Sequence, residues 1–448
     1  MRGVSAAARP DADVRMTPAL GASRSVAWFG VAILCLIYMC SFIDRQIVAL
    51  LAFQIRTDLR ISDTQFSLLQ GFAFAILYAA LGLPIGRWVD RADRRWVLVA
   101  GTITWSVFTS LCGTAVRFSD MFLYRIGVGA GEATVVPVTY SLLGDYFTRA
   151  KRGFAMGAFG VGVYAGMGLA MIVGSMVVAA LGKIDVSQWS VLRGVSPWRL
   201  VFFCVGLPGV ALSLFGLALY EPRKVLGAAR EPRAVWWPHA RQSLGAILCH
   251  HLATALLAMA LYTLTLWAPE LYRRVFGVAG SMAGIQIGLA ILIGGGAGVI
   301  AGGVASDALL RWEIRSARLL TLAVAAICAI PFALFFPLAK SAQEASILLG
   351  AAVFFTAALT SAGPAGIQEL YPPSLRGIGA SIYQLSVNLI GLGLGPTVVA
   401  LVEDHVLNNE SHLDQALAFS VPGMLLVAAG IAVSGLGMYG RAVETARA

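Results

Sequence analysis

The sequence predicts an all-α membrane protein in which twelve transmembrane helices form two pseudo-symmetric six-helix bundles. Three observations lead to this fold class: an apolar composition, the spacing of the apolar runs, and a repeat between the two halves. Of the 448 residues, 58% are hydrophobic and only 12% are charged, whereas soluble domains carry about 25% charged residues. Most of the chain is therefore expected to face lipid or other apolar helices.

Twelve apolar runs are each long enough to cross a bilayer, which requires about 20 helical residues. Each run is predicted to be helical, because lipid offers no partners to backbone polar groups. The predicted spans are 27–54, 63–87, 96–116, 120–143, 153–181, 199–219, 243–269, 281–306, 317–338, 345–367, 377–402 and 415–440.

The longest polar gap, rich in Arg, Pro and Trp, divides the spans six and six. It is predicted to link two bundles on the cytoplasmic side. The expected organisation is a disordered cytoplasmic tail at 1–25, a first bundle at 26–219, the linker at 220–242, a second bundle at 243–440 and a short cytoplasmic tail at 441–448. The first 25 residues have no apolar core, so they are not interpreted as a cleaved signal peptide.

Basic residues predict the orientation of the chain. With the N-terminus inside, the inside segments hold 22 Lys and Arg and the outside segments hold nine. This asymmetry predicts that both termini lie in the cytoplasm, and we expect the membrane to be a bacterial inner membrane. The net charge of +10 is explained by topology, so no nucleic-acid partner is expected.

Two cytoplasmic loop motifs occur once in each half. Gly and Asp stand four residues apart after spans 2 and 8, and an acid and an Arg stand seven apart after spans 4 and 10. Matching positions indicate a duplicated six-span unit. We predict a cytoplasmic latch, in which the Asp accepts from a helix N-terminus or pairs with an Arg of the other repeat; the alternative is a stop signal whose charges stay hydrated. The latch residues are Gly86, Asp90, Arg91, Arg94, Asp145, Arg152, Gly303, Asp307, Glu369 and Arg376.

Four ionisable residues lie inside predicted spans of the first half: Asp44, Arg45, Arg125 and Glu132. Arg125 and Glu132 are seven residues apart, so they share one helix face. Charges at this depth cost roughly 2.5–3.5 kcal/mol each on insertion scales, which favours a functional role. We predict that Glu132 carries a proton and that Asp44 and Arg125 tune it. The alternative is a structural ion pair, for example between Asp44 and Arg125.

Other motifs exclude other classes of protein. The sequence has no nucleophile motif, no metal-ligand spacing and no phosphate-binding loop, so we expect neither an enzyme nor a metal or cofactor. The six Cys lie inside apolar runs and do not form a disulfide framework. His250 and His251 in span 7 are interpreted as packing residues. We expect a monomer among membrane lipids, with protons and a small or lipid-like substrate as partners.

The segment from Gly86 to Arg95 resembles the loop signature of the major facilitator superfamily. The segment Arg125-Ile-Gly-Val-Gly-Ala-Gly-Glu132 resembles its fourth-helix signature. The segment from Ser41 to Gln46, together with Glu132 and Trp198-Arg199, is similar to the Spinster group. The resemblance covers residues 26–440; the second-half loop lacks the basic run that follows Asp90.

This resemblance implies proton-linked secondary active transport of lipid-like amphiphiles, such as lysophospholipids or sphingoid phosphates. It implies that Arg45 and Arg125 bind the polar head group, with Asp44 and Glu132 in coupling. Candidate cavity-lining residues, each also interpretable as packing, are Tyr38, Ser41, Tyr164, Tyr383, Gln384 and Asn388. The alternatives are a proton-coupled transporter of small organic anions or drugs, and a membrane sensor that does not transport.

Overall fold

The computed structural model describes residues 23–89, 91–147, 149–183, 195–222, 236–278, 280–372, 375–407 and 412–447. Every regular element within these ranges is helical, which confirms the all-α fold class. The linker predicted at 220–242 lies largely outside them, so the predicted domain boundaries stay a prediction.

The described residues of the first half form nine α-helices, and spans 1, 2 and 4 are each built from two of them. Span 1 ends earlier than predicted, and a short second helix continues it. Their bounds are α1 (Arg24–Leu50), α2 (Ala52–Leu59), α3 (Asp63–Gln70), α4 (Phe72–Val89), α5 (Arg94–Cys112), α6 (Phe118–Glu132), α7 (Val135–Tyr146), α8 (Arg149–Leu181) and α9 (Pro197–Ser213), which a 3-10 turn at Leu214–Ala218 follows.

In the second half, the first, second and last spans are single long helices of 39, 32 and 35 residues. Span 10 is again built from two helices, and span 11 is interrupted by π-helical turns at Val387–Leu394 and Val402–Leu407. The α-helices are α10 (Trp236–Arg274), α11 (Gly280–Arg311), α12 (Ala317–Phe335), α13 (Ala342–Thr356), α14 (Ala358–Leu370), α15 (Arg376–Ser386), α16 (Gly395–Leu401) and α17 (Leu413–Arg447).

Eleven helical segments of the described chain are long and apolar enough to cross a membrane. The remaining predicted span, 96–116, corresponds to α5, which has 19 residues. Its Thr and Ser residues and its two N-terminal Arg lower its mean hydropathy. It nevertheless packs inside the first bundle, with Trp105 buried.

Small residues bring the two halves into close contact. At the crossing of α8 and α11, a Cβ atom on Gly168 would lie 2.6 Å from the carbonyl oxygen of Gly288, and the reverse distance is 2.5 Å. A Cβ on Gly71, between α3 and α4, would lie 2.3 Å from the Leu392 carbonyl oxygen. Close backbone approach between helices requires small residues at such positions, so glycine is needed at these contacts.

Candidate functional site

A buried ion pair lies in the centre of the first half. The Arg45 Nε atom donates to Glu132 Oε2 at 2.7 Å, and the Arg45 terminal nitrogen donates to the same oxygen. Both side chains are almost completely buried. The second oxygen, Glu132 Oε1, has no hydrogen-bond partner among the described residues. The acid is thus held firmly by Arg45 at one oxygen, and the Ser41 side chain is the other group close enough to bond the carboxylate among the described residues.

Aromatic rings surround the Arg45 guanidinium. Its central carbon lies 4.5 Å from the ring centroid of Phe74, 5.0 Å from that of Phe42 and 5.4 Å from that of Tyr78. Arg stacks on aromatic faces while its nitrogens stay available for an anion. The environment therefore combines one cation with a wide apolar surface.

Asp44 and Arg125 do not form the ion pair considered as the structural alternative. Arg125 donates through Nε to the carbonyl oxygen of Leu69 at 3.2 Å, and its guanidinium lies 5.5 Å from the centroid of Phe74. Asp44 is buried, and its Oδ1 atom has no partner in the described part of the chain. The direct partner of Glu132 is Arg45, so the expectation that Arg125 tunes Glu132 concerns a more distant charge.

Glycines of the fourth-helix motif set the position of α6. A Cβ on Gly129 would lie 2.1 Å from the carbonyl oxygen of Phe74, and a Cβ on Gly131 would lie 2.5 Å from the amide nitrogen of Trp105. These contacts fit α6 tightly between α4 and α5. They place Arg125 and Glu132 on the face toward the bundle interior, where both are buried.

The ion pair borders a small cavity at the interface between the halves. The cavity has a volume of about 10 Å³, which is the space of about one water molecule. A substrate larger than water requires the halves to separate further. The lining residues come from both halves: Phe42, Arg45, Gln46, Gln70, Phe74, Tyr262, Leu266 and Leu392.

Of the six predicted lining residues, none is in this list, although several lie close by. Tyr38 stacks on Phe159, and Ser41 donates to the carbonyl oxygen of Tyr38. Tyr164 bonds Thr360 of the second half at 3.1 Å. Ser41 is also close enough to bond the Glu132 carboxylate, whereas the contacts of Tyr38 and Tyr164 in this conformation are packing contacts.

The remaining three predicted lining residues belong to span 11 and α15. Tyr383 donates to the Leu359 carbonyl oxygen, and Asn388 donates to the backbone of Gln384. Gln384 is close enough to bond the hydroxyl of Tyr78 in the first half. Three polar lining residues were not predicted, namely Tyr262, Gln46 and Gln70. The direction in which their side chains point depends on the rotation of each helix about its axis, which the sequence does not specify.

The first-half latch is an ion-pair cluster around Arg94. This fully buried guanidinium bonds Asp145 at 2.6 Å and Ser141 at 3.0 Å. It also pairs with Glu221, which accepts from the Arg94 amide nitrogen at 3.0 Å. Glu221 was not among the predicted latch residues, because a single acid after the last span of a bundle is a weak sequence pattern.

The second-half latch is built around Arg318, which was not among the predicted latch residues. Arg318 donates to Asp307 at 2.7 Å and to Glu369 at 3.1 Å. Arg94 and Arg318 are 224 residues apart, as are Asp145 and Glu369. This shared spacing relates Arg318 to Arg94 and identifies it as the corresponding latch residue of the second half.

In this conformation, the described latch pairs lie within one half, whereas pairing across repeats was one expectation. Arg376 donates to the carbonyl oxygens of Tyr371 and Gln368 rather than to an acid. The two loop glycines, Gly86 and Gly303, make no close packing contact with the described residues. A Cβ on Gly86 would meet open space, and one on Gly303 would make an ordinary contact of 3.7 Å.

Three further latch residues complete the set. Arg91 is exposed at the end of the first-half loop. Asp90 lies outside the described residues, as does the side chain of Arg152.

The Trp198-Arg199 motif ties α9 to α2 through Asp58. The Asp58 carboxylate accepts from Trp198 Nε1 at 2.9 Å and from Arg199 at 3.0 Å. Partial burial opposes ionisation, but these hydrogen bonds hold the pKa of Asp58 below its usual range. The motif is therefore structural, and its partner could not be read from the sequence.

His250 and His251 form a buried pair in α10. Their Nδ1 atoms are 3.1 Å apart, and His251 Nε2 contacts the hydroxyl of Tyr371 at 3.2 Å. A Cβ on Gly366 would lie 2.2 Å from His250 Nε2. Their tight surroundings agree with the interpretation as packing residues.

Comparison with known proteins assigns the class of this helical bundle. The family model of the Major Facilitator Superfamily matches residues 34–396, which include most of both halves and all four central charges. The chain therefore belongs to the Major Facilitator Superfamily, and it is a membrane transporter.

The relatives define the group more narrowly. A crystal structure of a bacterial homolog to the human lysosomal transporter Spinster, inward-facing and unoccupied, matches with a TM-score of 0.74 and 25% identity; it covers 95% of this chain and 98% of that one. Protein spinster homolog 3 of Danio rerio is 30% identical over 198 residues, 44% of this chain and 38% of the relative. The chain is thus a Spinster-like transporter, which confirms the resemblance.

One relative has a broader description. An MFS-type efflux pump of Mycolicibacterium smegmatis is 26% identical over 416 residues, covering 90% of this chain and 91% of the relative.

Proposed function

We propose that this chain is a secondary active transporter that moves an amphipathic anion together with a proton, by alternating access. The observation that carries the proposal is the buried Arg45–Glu132 pair beside the cavity between the halves. A cation that is already neutralised by an acid can accept a substrate anion only if the acid is displaced or protonated. Substrate and proton are thereby linked at one site.

The linkage follows from the cost of leaving a charge buried and unpaired. An anionic head group that binds Arg45 through two nitrogens takes the place of Glu132. The displaced carboxylate remains in a cavity with little water, where the charged form is unstable. It therefore takes up a proton, and the occupied site holds a head group and a protonated acid. Anion and proton bind together and cross together.

The surroundings of Arg45 support a substrate with an apolar body. Phe42 and Phe74 of the first half, with Leu266 and Leu392 of the second, line the same cavity as the guanidinium. A lysophospholipid or a sphingoid phosphate has a head group for Arg45 and a chain for the apolar residues that line the cavity. The Spinster-like membership supports the same substrate class.

A second candidate is a transporter of small organic anions or drugs. The similarity to an efflux pump over 90% of this chain favours it, and the Arg45–Glu132 pair would serve it equally. A small hydrophilic acid would, however, leave its hydroxyl groups facing a mostly apolar lining, which costs free energy. The amphipathic anion therefore fits better.

Charge placement supports a topology for this function. We propose that both termini lie in the cytoplasm of a bacterial cell and that the protein acts as a monomer in the inner membrane. The distribution of 22 inside and nine outside basic residues carries the orientation. A cysteine placed at Gln415 is expected to react with an impermeant reagent in spheroplasts, and one placed at the exposed Arg311 is not; the reverse pattern contradicts the topology.

Proteoliposomes test the function. The purified chain is reconstituted and given a labelled lysophospholipid, a sphingoid phosphate or a small carboxylate, with and without an imposed pH gradient. We expect gradient-driven movement of the amphiphiles and much less movement of the small acid, both lost in Arg45→Ala. Movement of the small acid alone would favour the second candidate, and transport that ignores the gradient would contradict proton coupling.

A further inference from the structure

Five charged side chains meet at the end of the bundle opposite the latches, which the basic residues predict to be external. We call them the external cluster: Arg56 of α2, Asp63 of α3, Glu270 and Arg274 of α10, and Glu403 of the π-helical turn after α16. Arg56 and Asp63 belong to the first half, and the other three belong to the second. Asp63 and Glu403 are fully buried, and Glu270 is 3% exposed. Such burial is unusual for charges at a helix end.

Arg274 is the centre of the cluster. It donates to both oxygens of Asp63 at 2.8 and 2.9 Å, to Glu403 Oε1 at 2.9 Å and to Glu270 Oε1 at 2.6 Å. Arg56 adds a contact of 2.8 Å to Asp63 and one of 3.7 Å to Glu270. The Arg274–Asp63 and Arg56–Glu270 pairs join the two halves and close this end of the bundle.

The charges of the cluster do not balance. Among the residues that the structure describes, three carboxylates share two guanidinium groups, which leaves one negative charge in excess if all are ionised. Arg273 and Asp404 are the nearest additional charges in the described part of the chain, and they do not remove the excess because they bring one charge of each sign. Arg273 donates to Glu270, and Asp404 accepts from Thr64. The helix α17, which also packs on this π-helical turn, carries Asp414 in its first turn.

Glu403 is the member of the cluster with the fewest partners. Asp63 accepts hydrogen bonds at both oxygens from Arg274, and Glu270 accepts at Oε2 from Arg273 and at Oε1 from Arg274. Glu403 accepts from Arg274 at Oε1 only, and its buried Oε2 atom has no partner among the described residues. The charged groups around it are Arg274, Asp63, Asp404 and Arg56. A proton on Oε2 would remove the excess charge without disturbing the bond to Arg274.

We propose that Glu403 is a second proton-binding site of this transporter and that its protonation holds the external end closed. In the closed form, Glu403 is buried beside Asp63. When the halves separate, Asp63 moves away from Glu403 and water enters, so the ionised form of Glu403 is less unfavourable. The open form therefore binds the proton less tightly than the closed form. A proton that binds the closed form more tightly must stabilise that form. The site is distinct from Glu132 and does not depend on which substrate is carried.

The test measures the opening of the external end directly. Spin labels are attached at Thr57 of the first half and Gln415 of the second, both exposed, after the six native cysteines are replaced by alanine. Double electron–electron resonance in nanodiscs without substrate gives the open and closed populations. One linked proton changes the open–closed equilibrium by up to about tenfold per pH unit, so a series from about pH 5.5 to 8.5 suffices.

We expect the closed population of the parent to fall as the pH rises. The Glu403→Gln variant is expected to stay closed with little pH dependence, and the exposed-acid control Glu344→Gln to follow the parent. If Glu403→Gln does not fold, Asp63→Asn replaces it: with two acids for two Arg, Glu403 no longer needs a proton and the pH response is expected to shrink. A parent without pH response, or a response unchanged in the variant tested, overturns the proposal. Either result can occur while Glu132 still couples transport to the proton. Failure of this proposal can therefore be distinguished from failure of the proposed function.

Discussion

Replacing Glu132 with Gln should separate anion binding from proton uptake. In the parent, Arg45 is occupied by Glu132 through two nitrogens, and in the proposed mechanism an anion takes Arg45 only as Glu132 gains a proton. The amide resembles the protonated acid in shape and charge, so it no longer competes for the guanidinium. The variant should therefore bind the anion as the parent does at its acidic limit, at every pH.

The magnitude follows from one linked proton. The parent's affinity for the anion should rise as the pH falls. The rise should reach about tenfold per pH unit in the range where each bound anion is accompanied by the uptake of one full proton. In Glu132→Gln the slope should be close to zero. Loss of a buried carboxylate from its cation costs about 3–5 kcal/mol in typical cases, so reduced thermal stability without anion is also expected, with recovery when anion is added.

The assay is equilibrium binding of a labelled lysophospholipid to purified protein, or of whichever anion the transport panel identifies. The Glu344→Gln variant is the matched control, since it makes the same chemical change at an exposed position. It should keep the parent's pH slope. A Glu132→Gln variant with the parent's slope would refute the linkage at this site.

Three further predictions concern the scaffold. Arg94→Ala removes the fully buried cation that the buried Glu221 and the partly buried Asp145 share, and should cost about 3–5 kcal/mol of unfolding free energy. Arg318→Ala removes a partly buried cation whose partner Asp307 is exposed, and should cost about 1 kcal/mol; equal losses in thermal unfolding would contradict the difference in burial. Gly168→Ala overpacks the contact between the halves, with a cost of about 1–3 kcal/mol, and should slow transport; Gly160→Ala, with its nearest contact at 3.7 Å, should transport like the parent. Asp58→Asn should lower stability by up to about 1 kcal/mol at neutral pH. Because the pKa of Asp58 is depressed, the difference in stability between parent and variant should disappear as the pH falls below about 4. If the difference persists in acid, the ionised Asp58 carboxylate is not its cause.

Hydropathy and charge predicted most of the architecture. The twelve spans follow from the length of the apolar runs, and Asp44, Arg45, Arg125 and Glu132 are conspicuous because charges inside such runs are rare. The choice of partner was not predictable. Arg45 and Asp44 are adjacent in sequence, and only the rotation of α1 decides which of them faces Glu132.

Charges at helix ends were harder to interpret. Arg56, Asp63, Arg274 and Glu403 each stand where loop charges are ordinary, and no sequence pattern shows that four separate segments meet. Arg318 was recoverable, since the 224-residue repeat relates it to Arg94. Internal symmetry is therefore a stronger guide to partners than local composition in this chain.

Direct measurement of proton movement tests the coupling most sharply. Proteoliposomes with an internal pH dye and no initial pH gradient are given an inward gradient of a labelled lysophospholipid. If an anion and a proton cross together, the lumen should acidify as substrate enters, and this acidification should be absent in Glu132→Gln. Substrate entry without acidification in the parent, or equal acidification in the variant, would contradict the proposed role of the Arg45–Glu132 pair.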